Sequence, residues 1–301
     1  MQVISGLRIH VFGNISLSSR GLELAVPASS APIIGYLVVK RERAVPRGEV
    51  AAALWPDQVD AKARRCLSTA LWRLNTQGLA SGLVDTSHHE LLRLNWRTAR
   101  WIDVVWFERR LVALLRVPAD QLTDAQFRRL IGAVALYRDD LIRDSDQEWA
   151  LIERIRLRHL YFDALFHLTR GADARGDTST AIAHGRRLTA LEPLREDAHR
   201  LLMRVYVASG NRGKAIEQYR ICQGELSTEL NVDPTAETQA LFASLIDGEA
   251  PAATASDRRA ASLEALGSRV RYARRAIAAA DLRLADAMGL IQRAQRISGE
   301  A

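Results

Sequence analysis

Laid against itself at a shift of 34 residues, the sequence shows an echo that restricts the middle of the chain to one kind of fold. Ala164 meets Ala198, Leu168 meets Leu202, Gly176 meets Gly210, and Ala181-Ile182 meets Ala215-Ile216. That period, with small residues where helices cross and glycine at the turn between them, is the signature of tetratricopeptide-like helical hairpins. One such hairpin leaves an apolar face open, and its neighbour must cover it. Residues 106–250 are dense in helix formers and lack strand patterning, and a helical segment near 124–142 joins the two clear copies. A short α-solenoid over residues 101–248 is the expected result.

Residues 1–100 follow a different pattern. LRIHVFG (7–13), ISLSS (15–19) and LELAV (22–26) are short alternating or β-branched runs, punctuated by Gly13-Asn14 and Arg20-Gly21, and predict a small antiparallel sheet. A helix is expected from near Ser30, with Ile33, Ile34, Leu37 and Val38 on one face. Pro46 is suited to the first turn of a second helix, PRGEVAAALW, which Pro56 stops. A third helix, ARRCLSTALWRLNT (63–76), is followed by LVDTSHHELLRLNW, a hairpin with a Ser-His-His-Glu tip. Sheet, three helices and hairpin is the order of a winged helix-turn-helix, in which the third helix enters the DNA major groove and the hairpin touches the neighbouring backbone.

At about 100° per residue, Ala63, Cys66, Leu67, Ala70, Leu71 and Leu74 share one face of the third helix. The other side carries Arg65, Ser68, Thr69, Trp72 and Thr76, flanked by Arg64 and Arg73. Short polar side chains beside arginines can approach base edges and phosphates without obstructing each other. The candidate DNA-contacting residues are therefore Arg47, Arg64, Arg65, Ser68, Thr69, Trp72, Arg73 and Thr76, with His88 and His89 at the wing tip and Arg97 beyond it. Trp72 has two readings: it packs under a neighbouring segment of its own domain, or a partner covers it. Residues 1–105 carry a net charge of +5, residues 106–250 −2 and residues 251–301 +4, so an anionic partner is expected at the N-terminal part.

The run RGEVAAALWPD…AKARRCLSTALWRLN resembles the winged helix of the SARP family of bacterial transcriptional activators through Leu54-Trp55, Asp57, Ala63-Arg64, Leu67 and Arg73-Leu74. LRIHVFG is similar to that family's first strand. Farther along, Trp106-Phe107-Glu108, LYRDDLIRDSDQEWALIERIRLR, LEPLREDAHRLLMRVYVASGNRGKAIEQYR and ELNVDP resemble the bacterial transcriptional activation domain that follows it. The resemblance implies a non-enzymatic activator whose partners are double-stranded promoter DNA and RNA polymerase, with the helical domain assisting self-association. One departure is Asn75-Thr76-Gln77 where members usually carry more arginines, which removes phosphate contacts. The rival reading is an interaction scaffold whose degenerate winged helix no longer grips DNA.

After a small-residue linker (249–256), residues 257–298 carry a heptad seam, including Leu263, Leu266, Val270, Ile277, Leu284 and Ile291, alternating after the first pair with alanine. It predicts a long C-terminal helix that either pairs with its copy in a homodimer or folds back on the solenoid. No apolar run approaches the ~20 residues of a membrane helix, and the N-terminus lacks the features of an export signal, so a cytoplasmic protein is expected. No phosphate-binding lysine loop, catalytic constellation or metal-ligand spacing recommends itself: Cys66 and Cys222 lie far apart, and neighbouring side chains such as His88 and His89 point oppositely on a strand. Neither cofactor nor metal is expected. The predicted fold is mainly α with a small β component: an N-terminal winged helix-turn-helix, a tetratricopeptide-like α-solenoid and a long C-terminal helix.

Overall fold

The computed structural model describes residues 6–41, 43–76 and 82–247; the predicted linker and the heptad helix with Leu263, Leu266, Val270, Ile277, Leu284 and Ile291 lie outside the described residues. Strands β1 (Leu7–His10), β2 (Ser16–Ser19) and β3 (Leu22–Leu24) form an antiparallel meander, in which Ile9 faces Leu17 and Leu17 faces Leu24. Alternation puts Leu7, Ile9, Leu17 and Leu24 on the buried side. The β2–β3 turn needs two left-handed residues, Arg20 at φ 51° and Gly21 at φ 83°, the backbone of a tight hairpin turn.

Helices α1 (Ala31–Val39), α2 (Arg47–Leu54) and α3 (Asp60–Thr76) follow, with a short strand β4 (Val45–Pro46) before α2. Pro46 does not occupy the helix's first turn. It sits at the N-cap in extended geometry (φ −57°, ψ 137°) and pairs with Leu91, a sheet-edge position where the absence of an N–H is harmless. Strands β5 (Val84–Asp85) and β6 (Leu91–Leu94) form the hairpin, and β4–β6–β5 make a three-stranded sheet. Strand β7 (Ala99–Ile102) then returns to lie parallel to β1, closing a four-stranded sheet in the order β3–β2–β1–β7. A parallel pair requires a crossover, and here the whole three-helix unit with its hairpin is the crossover.

Helix α4 (Asp103–Leu114) starts directly from β7, so the predicted boundary near residue 100 falls inside a strand of the N-terminal sheet. A short 3₁₀ turn (Ala119–Gln121) precedes α5 (Asp124–Val134), which opens on a Thr123–Gln126 capping box. The helix expected to run to residue 142 stops at Val134. Tyr137 turns in to stack on Tyr161 at 4.2 Å, and the Gly13 and Ile142 N–H groups donate to the carbonyls of Asp140 and Val11. Tertiary contacts thus override helix propensity in this segment.

The echo folds as the predicted hairpins: α6 (Glu148–Asp173) with α7 (Thr178–Leu191), then α8 (Glu196–Ala208) with α9 (Arg212–Leu230). Gly176 (φ 70°) and Gly210 (φ 77°) take the left-handed conformation that ends α6 and α8. Ala164, Ala181, Ala198 and Ala215 are buried at the helix crossings. A methyl group on Gly185 would meet Leu202 Cδ1 at 3.1 Å, so α7 and α8 approach too closely there for a larger residue. A second compact unit starts at Ala236, with α10 (Ala236–Asp247).

Beside a continuous apolar core, a network of charges marks the joint between the N-terminal sheet and the first helices behind it. The Asp103 carboxylate is buried and accepts hydrogen bonds from the N–H groups of Val11 (2.9 Å), Phe12 (3.1 Å) and Val104 (2.7 Å). Arg41, just past α1, reaches Glu153 of α6 at 2.9 Å and pairs with Glu108 of α4; Arg156 of α6 binds both carboxylates. Phe12, Phe107 and Tyr137 lie in mutual ring contact beside this network.

Candidate nucleic-acid interface

Helix α3 has an apolar seam of Ala63, Leu67, Ala70, Leu71 and Leu74, all buried. Burying this face, against α2 above all, aims the opposite side outward. Ser30, at the N-cap of α1, fixes the helix from below: its hydroxyl is fully buried and donates to the Ala70 carbonyl at 2.8 Å. Cys66, expected on the seam, is only half-buried. It lines an open groove with Ser29, Trp55, Val59, Lys62, Arg65, Thr69 and Arg73, because the seam drifts toward Leu71 and leaves position 66 at its margin.

Among the described residues, none covers the outward side. Arg64, Arg65, Ser68, Thr69, Trp72, Arg73 and Thr76 are all exposed. Trp72 keeps 62% of its surface accessible, so among the described residues no loop or strand packs over it. Among the described residues no carboxylate lies within ion-pair distance of Arg64, Arg65 or Arg73. Arg65 Nε touches only the Ala61 carbonyl (3.3 Å), and Arg73 Nη1 only the Ser29 hydroxyl (3.4 Å). The hydroxyls of Ser68 and Thr76 donate to the carbonyls four residues back, at 3.0 and 2.8 Å. Each hydroxyl keeps a lone pair that can accept from a base amino group, although Ser68 already accepts from Arg47.

Arg47 is half-buried. Its backbone N–H donates to the Glu90 carbonyl at the base of the hairpin tip (2.9 Å), and its guanidinium approaches the Ser68 hydroxyl at 3.5 Å. The fold therefore brings α2, α3 and the wing together around this residue. Hydrogen bonds from Ser87 and Arg93 to Asp85 stiffen the wing and hold that carboxyl down at about 2. Arg93 is thereby paired, while His88 and His89 project as exposed residues at the tip. Arg97 is exposed on the turn after β6, where its N–H is tied to Asn95 Oδ1. Lys62, which lines the groove beside Arg65 and Arg73, was missed from sequence; its place one turn before Cys66 on the same margin was the available signal. Among the described residues no three or more His, Cys, Asp or Glu side chains are grouped to hold a metal, and no helix is long and apolar enough to cross a membrane.

A winged helix-turn-helix whose third helix stands free, joined to tetratricopeptide-like hairpins, is the architecture of a transcriptional regulator. Residues 102–246 match the Bacterial transcriptional activator domain family. The chain is 25% identical over 244 residues to the transcriptional regulatory protein MoaR1 of Mycobacterium tuberculosis, covering 78% of each chain. It is 26% identical over 245 residues to the Mycobacterium bovis protein of the same name, again covering 78% of each. Among solved structures, Mycobacterium tuberculosis EmbR in complex with a low affinity phosphopeptide superposes with a TM-score of 0.69 at 20% identity, covering 89% of this chain and 71% of that one, and shares the fold. Most of the chain is thus similar to transcriptional regulators, and residues 102–246 carry the match to the bacterial transcriptional activator domain.

Proposed function

We propose that the chain is a sequence-specific DNA-binding activator that docks α3 in the major groove of promoter DNA. The observation that carries this reading is the bare outward side of α3, where unpaired arginines flank an exposed tryptophan. Arg65, Ser68, Thr69 and Arg73 contact base edges or phosphates, Arg64 and Arg47 the backbone, and Trp72 and Thr76 a sugar or a thymine methyl. His88 and His89 follow the neighbouring backbone or minor groove, and Arg97 adds phosphate attraction. The helical domain holds protomers together and presents a surface to RNA polymerase. The protein acts in the cytoplasm, without enzymatic activity, metal or cofactor.

An electrophoretic shift series on DNA from upstream of the chain's own gene neighbourhood tests this reading. Binding should weaken with salt at a log–log slope of about −0.9 per neutralised phosphate. The run Asn75-Thr76-Gln77 favours a second reading, in which the winged helix is degenerate and the protein is an interaction scaffold. Absence of any shift at low salt selects that scaffold.

A further inference from the structure

Trp106, Phe107 and Glu108 stand together in the first turns of α4, and the fold uses only two of them. Phe107 is buried in the core, and Glu108 joins the network of Arg41 and Arg156. Trp106 is left with 40% of its surface in water. Arg110, one turn on, lies over the indole ring at 5.1 Å. Its Nη1 rests against α5 at Gly132, 3.7 Å from where a Cβ would stand. Arg128 precedes Gly132 by one turn on the same face of α5, with Ile131 nearby, and both Arg128 and Ile131 are exposed. The outer face of the α4–α5 hairpin thus sets an aromatic and an aliphatic side chain among guanidinium groups. We propose that this patch is a docking site for an acidic segment of a partner protein, one that carries an apolar side chain among its carboxylates.

The charge on the two helices selects that occupant. Their carboxylates are already used: Asp103 by backbone N–H groups, Glu108 by Arg41 and Arg156, and Asp124 by Arg175 at 3.7 Å. Among the described residues no carboxylate lies within ion-pair distance of Arg110, Arg128 or Arg129, so the face keeps its positive charge uncompensated. Residues 251–301 of the chain itself carry a net charge of +4, which this face repels. A nucleic-acid backbone would satisfy the arginines but would set Trp106 and Ile131 against sugar and phosphate. Tryptophan and arginine are instead the common anchors of protein–protein contacts, and an apolar centre within a charged rim is the anatomy of such an interface. Carboxylates of the partner pair with Arg110 and Arg128 in the two-pronged geometry that a guanidinium favours, while its apolar side chain covers the indole. The patch is far smaller than the ~800 Å² per partner of a standard interface, so the contact is weak and reversible. Both helices follow the winged helix, and neither the patch nor its charge depends on α3 binding DNA.

The test selects a random peptide library, displayed on phage, against the full chain. Recovered peptides are then titrated by fluorescence anisotropy into the wild type, Trp106→Ala and Arg128→Glu. Both changed positions are exposed, and circular dichroism checks that the variants fold. The peptides should share Asp or Glu residues flanking an aromatic or aliphatic one. Each substitution should weaken their binding at least about tenfold, and a photo-crosslinker at position 131 should join the peptide to the chain. A selection that yields no acidic consensus overturns the proposal, as do acidic peptides that bind the wild type and both variants alike. A random-sequence duplex that displaces the peptide from the wild type, and binds Arg128→Glu more weakly, assigns the face to nucleic acid and overturns it too. Self-association in sedimentation velocity that Arg128→Glu abolishes does the same, because the occupant is then a second copy of the chain.

Discussion

The outward side of α3 and the joint behind the N-terminal sheet both concentrate charge, yet they dispose of it in opposite ways. At the joint, Arg41, Glu108, Glu153 and Arg156 neutralise one another, and Asp103 spends its carboxylate on three backbone donors. On α3, Arg64, Arg65 and Arg73 face water with no carboxylate in reach among the described residues. A charge that holds a fold together must find its partner inside the fold, because an unpaired buried charge costs more than folding can offset. A charge intended for another molecule must stay unspent. The two regions should therefore respond to mutation in opposite assays: joint changes alter stability, and changes on α3 alter binding.

The largest expected effect is at Glu153. Glu153→Ala leaves Arg41 and Arg156 half-buried with one carboxylate fewer between them, and should lower unfolding free energy by about 3–5 kcal/mol. Urea denaturation measures it. If the variant loses less than about 1 kcal/mol, the network is ornamental and the contrast with α3 collapses.

Asp103 gives the next effect, and it depends on pH. Burial pushes its carboxyl up to about 6 from the ordinary 3.8, against the downward pull of its three N–H donors. A folded-state value above the unfolded one means a stability contribution that is full below about pH 4 and lost as pH rises through 6. Two units correspond to about 3 kcal/mol. The stability difference between wild type and Asp103→Asn should shrink by about that amount from pH 4 to pH 7, since groups common to both proteins cancel. A difference that stays constant over this range would mean that the donors outweigh burial and keep Asp103 ionised throughout.

The same contrast explains what could be read from the sequence. The hairpins were legible because each relies on local periodicity: Gly176 and Gly210 end their helices at equivalent turns, and the repeated alanines fall at the crossings. The exposed side of α3 was legible for a related reason, since a 3.6-residue period separates Leu67, Leu71 and Leu74 from Arg65, Ser68 and Trp72. The joint was not. Strand β7 pairs with a strand some ninety residues earlier, and Arg41 meets Glu153 across 112 positions. No short window holds such pairings. The helix expected through residue 142 stops early for the same reason, because the ring of Tyr161 and the backbone of Val11 and Gly13 hold that segment in another shape.

On α3, Arg65→Ala should weaken binding to a cognate site by about 1–3 kcal/mol and alter sequence preference. Arg97→Ala, outside the cluster, should lower affinity equally on all sequences and reduce the salt slope by about 0.9. Neither should change unfolding free energy by more than about 0.5 kcal/mol, because both side chains are exposed and take no part in the core. Binding selections on randomised duplexes separate preference from affinity. Equal behaviour of the two variants would remove α3 from the reading of sequence.

The smallest effect is expected at Trp72, and it divides the two regions most sharply. Its ring contributes little to the fold, since 62% of its surface is already in water. Trp72→Ala should therefore leave stability within about 0.5 kcal/mol of wild type. If duplex DNA covers the ring, a loss of roughly 40 Å² of apolar burial at ~25 cal/mol per Å² weakens binding by about 1 kcal/mol. Because the loss is apolar, it should persist at high salt while the arginine contributions fade. A thermal melt and a binding isotherm at two salt concentrations make the measurement. Stability that falls while binding holds would place Trp72 with the joint, as a residue the fold keeps for itself.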